Sequence, residues 1–153
     1  MFLKDYYPKL NKKFFKVKFK GISFDSSNVK KDYIFFAIKG NNLDGNKFIK
    51  EAIKNGAKII VSQSIKEIFD NNVLYIYDKN PRKLLAEVSS KLNNKKPNNL
   101  IAVTGTNGKS SIANFFFQIL KINNIKVASI GTLGIFTNRS VKNTNNTTLD
   151  TIT

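Results

Sequence analysis

The sequence predicts an α/β fold in two parts. A small N-terminal α/β domain occupies residues 1–78, and residues 79–153 form the start of a phosphate-loop, parallel-sheet domain that is truncated. Three observations carry this. Apolar runs of strand length alternate with segments of helical length, the pattern of α/β architecture. The run Leu100-Ile101-Ala102-Val103 stops at a glycine-rich turn ending in Lys109-Ser110, and an apolar-rich helical segment, Ile112 to Ile122, follows. Between the parts lies the polar, proline-containing stretch 93–99, the clearest linker in the chain, which sets the junction within about residues 79–99.

Residues 1–20 are a lead-in of mixed polarity. Within it, lysines alternate with Phe and Val from Lys12 to Lys20, the period of an amphipathic edge strand with Lys outside. Gly21 to Phe24 has strand character and gives way to the polar turn Asp25-Ser26-Ser27-Asn28. Tyr33 to Ile38 is the densest apolar run of the first half and ends in the turn-forming loop 39–45. Lys47 to Asn55 places Phe48, Ala52 and Ile53 on one helical face, with Asn55-Gly56 as its stop. Ala57 to Val61 reads as a buried strand, Ile65 to Phe69 as a short helix, and Val73 to Tyr77 as a further strand. Asn80-Pro81 starts a helix, with Asn as cap and Pro in the first turn, and Leu84, Leu85, Val88 and Leu92 line one side of it. After the second-half helix, Asn123-Asn124 is a turn and Ile125 to Ile130 a strand. Two such strands and one helix cannot bury both faces of a parallel sheet, so the second part is expected to be incomplete.

Composition removes several kinds of chemistry. The 153 residues include neither Cys nor His, which excludes disulfides, thiol catalysis, histidine acid–base catalysis and most zinc sites. No apolar run reaches the length of a membrane span and the N-terminus lacks a signal-peptide pattern, so a cytoplasmic location is expected. The net charge of +16 suits an anionic partner. The lysines are spread along the chain, however, and accompany the Asn, Ile and Phe that AT-rich codons favour. No dedicated nucleic-acid surface is therefore expected.

The chemistry sits in Gly105-Thr106-Asn107-Gly108-Lys109-Ser110-Ser111. Glycines let the backbone approach an anion, and helix-start N–H groups point at it with the helix dipole behind them. Lys109 would reach the terminal phosphates of a nucleotide and the Ser110 hydroxyl would be a ligand for Mg²⁺. The strict loop pattern has four residues between its first glycine and the Gly-Lys pair, whereas only Thr106 and Asn107 intervene here. On spacing alone, a nucleotide loop and a plain strand-to-helix turn with a solvated Lys109 both stay open.

Four segments in order resemble the Mur ligases of peptidoglycan synthesis, and among them the type that extends UDP-N-acetylmuramoyl-L-alanyl-D-glutamate. They are Asp25-Ser26-Ser27-Asn28-Val29 with Ile34 to Gly40; Asp44-Gly45 through Phe48-Ile49, Ala52-Ile53 and Gly56-Ala57; Val103 to Ser110; and Gly131-Thr132-Leu133-Gly134 with Asn146-Thr147-Thr148. The shortened glycine loop is the form this family uses. The resemblance runs from about residue 20 to the end of the chain.

It implies a three-domain enzyme with UDP-binding, ATPase and amino-acid-binding domains, of which the first and the start of the second are expected here. By resemblance, Phe24, Ser26, Asn41, Asn42 and Leu43 lie where the family holds the uridine nucleotide. Gly105 to Ser111 would bind ATP, with Lys109 catalytic and Ser110 on Mg²⁺, and Asn146, Thr147 and Thr148 would contact the UDP-sugar peptide. Three positions depart from the family pattern: Ser27 stands where Arg is usual, Asn41-Asn42-Leu43 replaces a triplet with His or Glu, and Leu149 replaces Pro. The implied reaction is ATP-driven amide formation through an acyl phosphate, adding diaminopimelate or lysine, by a monomer. The segment is expected to be inactive alone, because the residues orienting the amine and holding the metals lie beyond Thr153 in the family pattern. Alternatives are the sister ligase that adds D-alanyl-D-alanine, a basic nucleotide- or nucleic-acid-binding module, and a stand-alone nucleotide-binding protein.

Overall fold

The structure is a computed structural model and describes residues 1–7, 9–40, 43–93 and 95–143. It is mixed α/β, with a sheet in which parallel pairs dominate. The chain divides into two compact units at Lys95/Lys96 rather than at 78/79. The physical reason is the helix between those positions, whose apolar side belongs to the first unit's core.

In the first unit, β1 (Gly21–Ser23), β2 (Tyr33–Ala37), β3 (Ala57–Ser62), β4 (Ile68–Asp70) and β5 (Val73–Tyr77) form one sheet in the order β1-β2-β3-β5-β4. All pairs are parallel except β4 with β5. The central strands β2, β3 and β5 are apolar on both sides because both faces are covered there, whereas β4 is exposed. Ile34, Phe36, Ile59, Val61, Leu74 and Ile76 point to one face, and Phe35, Ala37, Ile60 and Val73 to the other. An irregularity at Lys58, where Tyr33 pairs with Ala57 and Ile34 with Ile59, resets the β2–β3 register so that these alternations coincide.

The first face is covered by residues 1–19 and by α2 (Pro81–Leu92). Leu3, Tyr7, Leu10, Phe14 and Phe19 supply the cover from the lead-in, and Leu84, Leu85 and Val88 supply it from α2. Each such side chain contributes about 1.5–3 kcal/mol by leaving water. The lead-in is therefore core, not an edge strand: Lys12–Phe14 is a 3-10 turn, and one isolated bridge, Phe2 to Lys18, is its only strand-like pairing among the described residues. Its alternating Phe and Lys still separate by polarity, but by wrapping over the sheet rather than extending along its edge. The second face is covered by α1 (Ile49–Lys54), which buries Ala52 completely, while Phe48 and Ile53 stay partly exposed. Gly56 ends that helix with its N–H donated to Ile53 O at 2.9 Å.

The helix expected at 65–69 is replaced by β4. Asn71 and Asn72 both take positive φ, 46° and 64°, which makes a tight hairpin turn, and β4 folds back antiparallel on β5. Asn80 caps α2 as expected, its side chain accepting from Lys83 N at 3.0 Å.

The second unit holds α3 (Lys109–Ile122) and an antiparallel meander of β6 (Ala128–Gly131), β7 (Gly134–Thr137) and β8 (Val141–Lys142). Phe117 is buried, its ring 6.0 Å from that of Phe136. The strand expected at 100–103 is not formed: no neighbour pairs with it among the described residues, and Leu100 is 87% exposed. β6 turns through Thr132-Leu133 onto β7 instead of continuing a parallel sheet. Ile112, Phe115, Phe116, Ile119 and Ile122 of α3 remain exposed.

Two measurements follow from the first unit. Leu85→Ala is expected to destabilise it by about 2–5 kcal/mol in chemical denaturation; no loss would return α2 to the second unit. Tyr7 Oη donates to Tyr77 O at 3.2 Å, and burial, followed by the Asp78 and Glu67 carboxylates, pushes its pKa from 10.0 up to about 12. A raised pKa means stability that is whole below pH 10.0 and lost as pH rises through about 12. Wild type should weaken across that window and Tyr7→Phe should be flatter there, as read by alkaline unfolding curves.

Candidate functional site

The carboxyl ends of β1, β2, β3 and β5 lie along one edge of the first unit's sheet, where open α/β sheets take ligands. Two of the turns that leave that edge carry residues expected at the site. After β1, Asp25 organises the first: its Oδ1 accepts from Ser27 N at 2.9 Å and Ser27 Oγ at 2.8 Å, and its Oδ2 from Asn28 Nδ2 at 2.9 Å. The carboxylate thus closes the 3-10 turn Ser26–Asn28. Ser26 is buried inside it, its hydroxyl donating to Glu51 Oε2 at 2.8 Å and its carbonyl accepting from Asn55 Nδ2 at 2.9 Å. Phe24 is half-buried and packs against the core.

After β2, the loop 39–45 is pinched at its base. Gly45 N donates to Ile38 O at 3.0 Å, and Gly40 N to Leu43 O at 2.8 Å. A Cβ on Gly45 would lie 2.6 Å from Ile38 N, so only glycine permits this approach. Asp44 Oδ1 accepts from Asn46 N at 2.9 Å and Asn46 Nδ2 at 2.7 Å, and these two donors hold its carboxyl below the usual carboxylate value. Asn46 Oδ1 in turn accepts from Ser62 Oγ at 2.5 Å, and Ser62 Oγ accepts from Ser64 N at 2.9 Å. The loop is therefore tied to the end of β3. Leu43 is 70% exposed. Asn41 and Asn42 lie outside the described residues, as do Asn146, Thr147 and Thr148.

In the second unit, the glycine loop is exposed from Thr104 to Ser111. Gly108 occupies the cap position of α3 with φ 77°, a left-handed conformation that costs a residue with a side chain about 1–2 kcal/mol. Gly105 takes φ 150°. Unlike Asn80 on α2, Gly108 offers no side-chain acceptor to the first-turn N–H groups of its helix, and no acidic residue sits in that turn. Between Lys96 and Asn143 the sequence contains no Asp or Glu at all, against Lys96, Lys109, Lys121, Lys126, Arg139 and Lys142. The loop is thus an uncapped helix start in a stretch, residues 96–143, whose charged side chains are all basic, which fits an anion. Lys109 Nζ donates to Gly105 O and to Thr106 O, the latter at 3.0 Å, so the ammonium folds back over the loop. A small hollow beside it is lined by Ser110, Ala113, Asn114, Ser129, Gly131 and Thr132. For a divalent cation the fit is limited to the Ser110 hydroxyl, since this stretch has no carboxylate and no cluster of acidic or His/Cys ligands occurs among the described residues.

Sequence reasoning missed Glu51, Asn55, Asn46 and Ser62. All four act across long sequence separations, and only the helix-stop motif around Asn55-Gly56 marked any of them. No helix among the described residues is long and apolar enough to cross a membrane.

Comparison with known proteins completes the picture. The Mur ligase family catalytic domain matches residues 18–92, ending with α2. Curated relatives named UDP-N-acetylmuramoyl-L-alanyl-D-glutamate–2,6-diaminopimelate ligase are 43% identical over 126 residues in Rickettsia prowazekii and 46% over 118 in Rickettsia montanensis. These alignments cover 82% and 77% of this chain but 26% and 24% of the relatives, so the chain spans about a quarter of their length. A solved structure of a protein of the same name matches with a TM-score of 0.71 at 25% identity, over 99% of this chain and 31% of that one. The MurF ligase of Thermotoga maritima in complex with ADP matches with a TM-score of 0.53 at 25% identity, over 67% and 23%. Sequence and fold point the same way, and the chain belongs to the Mur ligase family.

Proposed function

We propose that this chain is part of an ATP-dependent ligase that joins diaminopimelate to UDP-N-acetylmuramoyl-L-alanyl-D-glutamate. The observation that carries the reading is the glycine loop. It pairs the uncapped start of a 14-residue helix with Lys109, in a stretch (residues 96–143) without Asp or Glu and in a chain whose relatives bear that ligase name. The relatives' names favour diaminopimelate over lysine as the added residue.

In this reading the first unit holds the uridine nucleotide at the sheet's carboxyl edge through Phe24, Ser26 and Leu43, with Asn41 and Asn42 from the same loop. The second unit binds ATP through Gly105, Thr106, Asn107, Gly108, Lys109, Ser110 and Ser111, and Asn146, Thr147 and Thr148 contact the sugar peptide. ATP would supply the phosphoryl group that converts the D-glutamate carboxylate into an acyl phosphate, releasing ADP, and the incoming amine would then attack the acyl carbon and release phosphate. The first-turn N–H groups of α3 orient the phosphates. Lys109 leaves the carbonyls of Gly105 and Thr106 and places its charge against the terminal phosphate, where negative charge develops. The Ser110 hydroxyl would be a ligand for Mg²⁺, which would neutralise phosphate charge there.

ADP titrated calorimetrically into the 153-residue protein tests the loop. Loss of a charge-assisted contact in Lys109→Ala is expected to weaken binding about ten- to a hundredfold. Gly108→Ala should weaken it as well, because its φ must change. Equal affinity in wild type and Lys109→Ala would remove Lys109 from the site. The ligation itself is measured on the longest natural polypeptide carrying this sequence, offered diaminopimelate, lysine or D-alanyl-D-alanine. Incorporation of diaminopimelate is expected; incorporation of the dipeptide instead would assign the chain to the sister ligase.

A further inference from the structure

Ser26 is a buried hydroxyl whose rotor is set by a residue that the sequence reading did not connect to it. An ionised carboxylate accepts hydrogen bonds and donates none. Because Ser26 Oγ lies 2.8 Å from Glu51 Oε2, the hydroxyl proton is committed to Glu51 and the lone pairs of Oγ are left to face other groups. No other carboxylate competes, since both oxygens of the adjacent Asp25 are engaged by Ser27 and Asn28. The backbone of Ser26 is pinned independently by Asn55 Nδ2 on its carbonyl. Glu51 of α1 and Asn55 at that helix's stop thus hold Ser26, one at the hydroxyl and one at the main chain.

We propose that Glu51 is a positioning residue that makes Ser26 a hydrogen-bond acceptor toward the nucleobase, and that this favours uracil over cytosine. The inference rests on the proposed contact of Ser26 with the uridine nucleotide. Uracil presents a ring N–H on its pairing edge, whereas cytosine presents a bare ring nitrogen at the same place. A hydroxyl held as acceptor pairs with the first and meets the second lone pair to lone pair. A hydroxyl free to rotate would serve either base. Glu51 therefore acts on base selection without touching the ligand.

The test compares UDP and CDP binding to the 153-residue protein by calorimetry. Glu51→Ala frees the rotor and is expected to lower UDP affinity about three- to tenfold, the loss of one ordinary hydrogen bond, and to narrow the UDP/CDP ratio by a similar factor. Glu51→Gln can still accept through its amide oxygen and should restore most of the ratio. Glu51→Ala added to Ser26→Ala should change nothing further. Asn55→Ala, which releases only the main-chain tie, should lower the melting temperature and leave the ratio unmoved. If Glu51→Ala does not fold, Glu51→Asp, whose carboxylate is withdrawn by one methylene, is expected to narrow the ratio in its place. A ratio unchanged in the folded Glu51 variant while Ser26→Ala narrows it would overturn the positioning role and leave the Ser26 contact standing. Absence of UDP binding in wild type, or a Ser26→Ala protein that binds both nucleotides as wild type does, would instead overturn the Ser26 contact itself.

Discussion

The first unit depends on a parallel sheet that must be dry on both sides. Ile34 and Phe36 face one way and Phe35 and Ala37 the other, and all four are essentially inaccessible to water. A five-stranded sheet of this kind has no tolerance for a bare face, because each exposed strand would forfeit its apolar transfer energy. The cover on one side is a single short helix. On the other it comes from the two ends of the unit, residues 1–19 and α2, which close over the strands between them. That requirement explains why the unit ends at Lys95 and why the lysine-rich lead-in is folded at all.

The same demand explains what the sequence shows plainly and what it hides. β2, β3 and β5 are legible because dry parallel strands are continuous apolar runs with polar ends. α2 is legible because Asn80-Pro81 carries its own start signal and Leu84, Leu85 and Val88 fall at helical spacing. The lead-in is misleading because alternating Phe and Lys describes equally a strand edge and an irregular segment whose aromatics reach a core. β4 hides for a different reason: Ile68 and Phe69 are too few to set a period, and the left-handed turn at Asn71-Asn72 lacks the glycine that usually announces a hairpin. The run at 100–103 reads as a buried strand, but a strand needs a neighbour, and no spacing rule supplies one.

Much of the candidate site is visible as motif, and its mechanics are not. The glycines, Lys109 and Ser110 stand out by type and order. That Lys109 covers the loop's own carbonyls is a matter of three-dimensional reach. At the sheet edge, Asp25 and Asp44 read as ordinary turn residues, and they are that: each satisfies local backbone and side-chain donors. The informative contacts are the distant ones: Ser26 to Glu51 ties the first turn to α1, and Ser62 to Asn46 ties the second loop to the end of β3.

The chain carries two Asn-Gly pairs, and their surroundings give them different chemical lifetimes. In such a pair the glycine nitrogen can attack the preceding side-chain amide, releasing ammonia and closing a succinimide ring, which water then opens to leave a carboxylate. At Asn55-Gly56 the attacking nitrogen is bonded to Ile53 O and the amide to Ser26 O, so native structure holds both reactants apart. Asn107-Gly108 lies in the exposed loop, with no such restraint on the asparagine amide. Ageing there would place a permanent negative charge in a stretch, residues 96–143, that otherwise has no acidic side chain. The loop's exposure thus sets a clock on its chemistry.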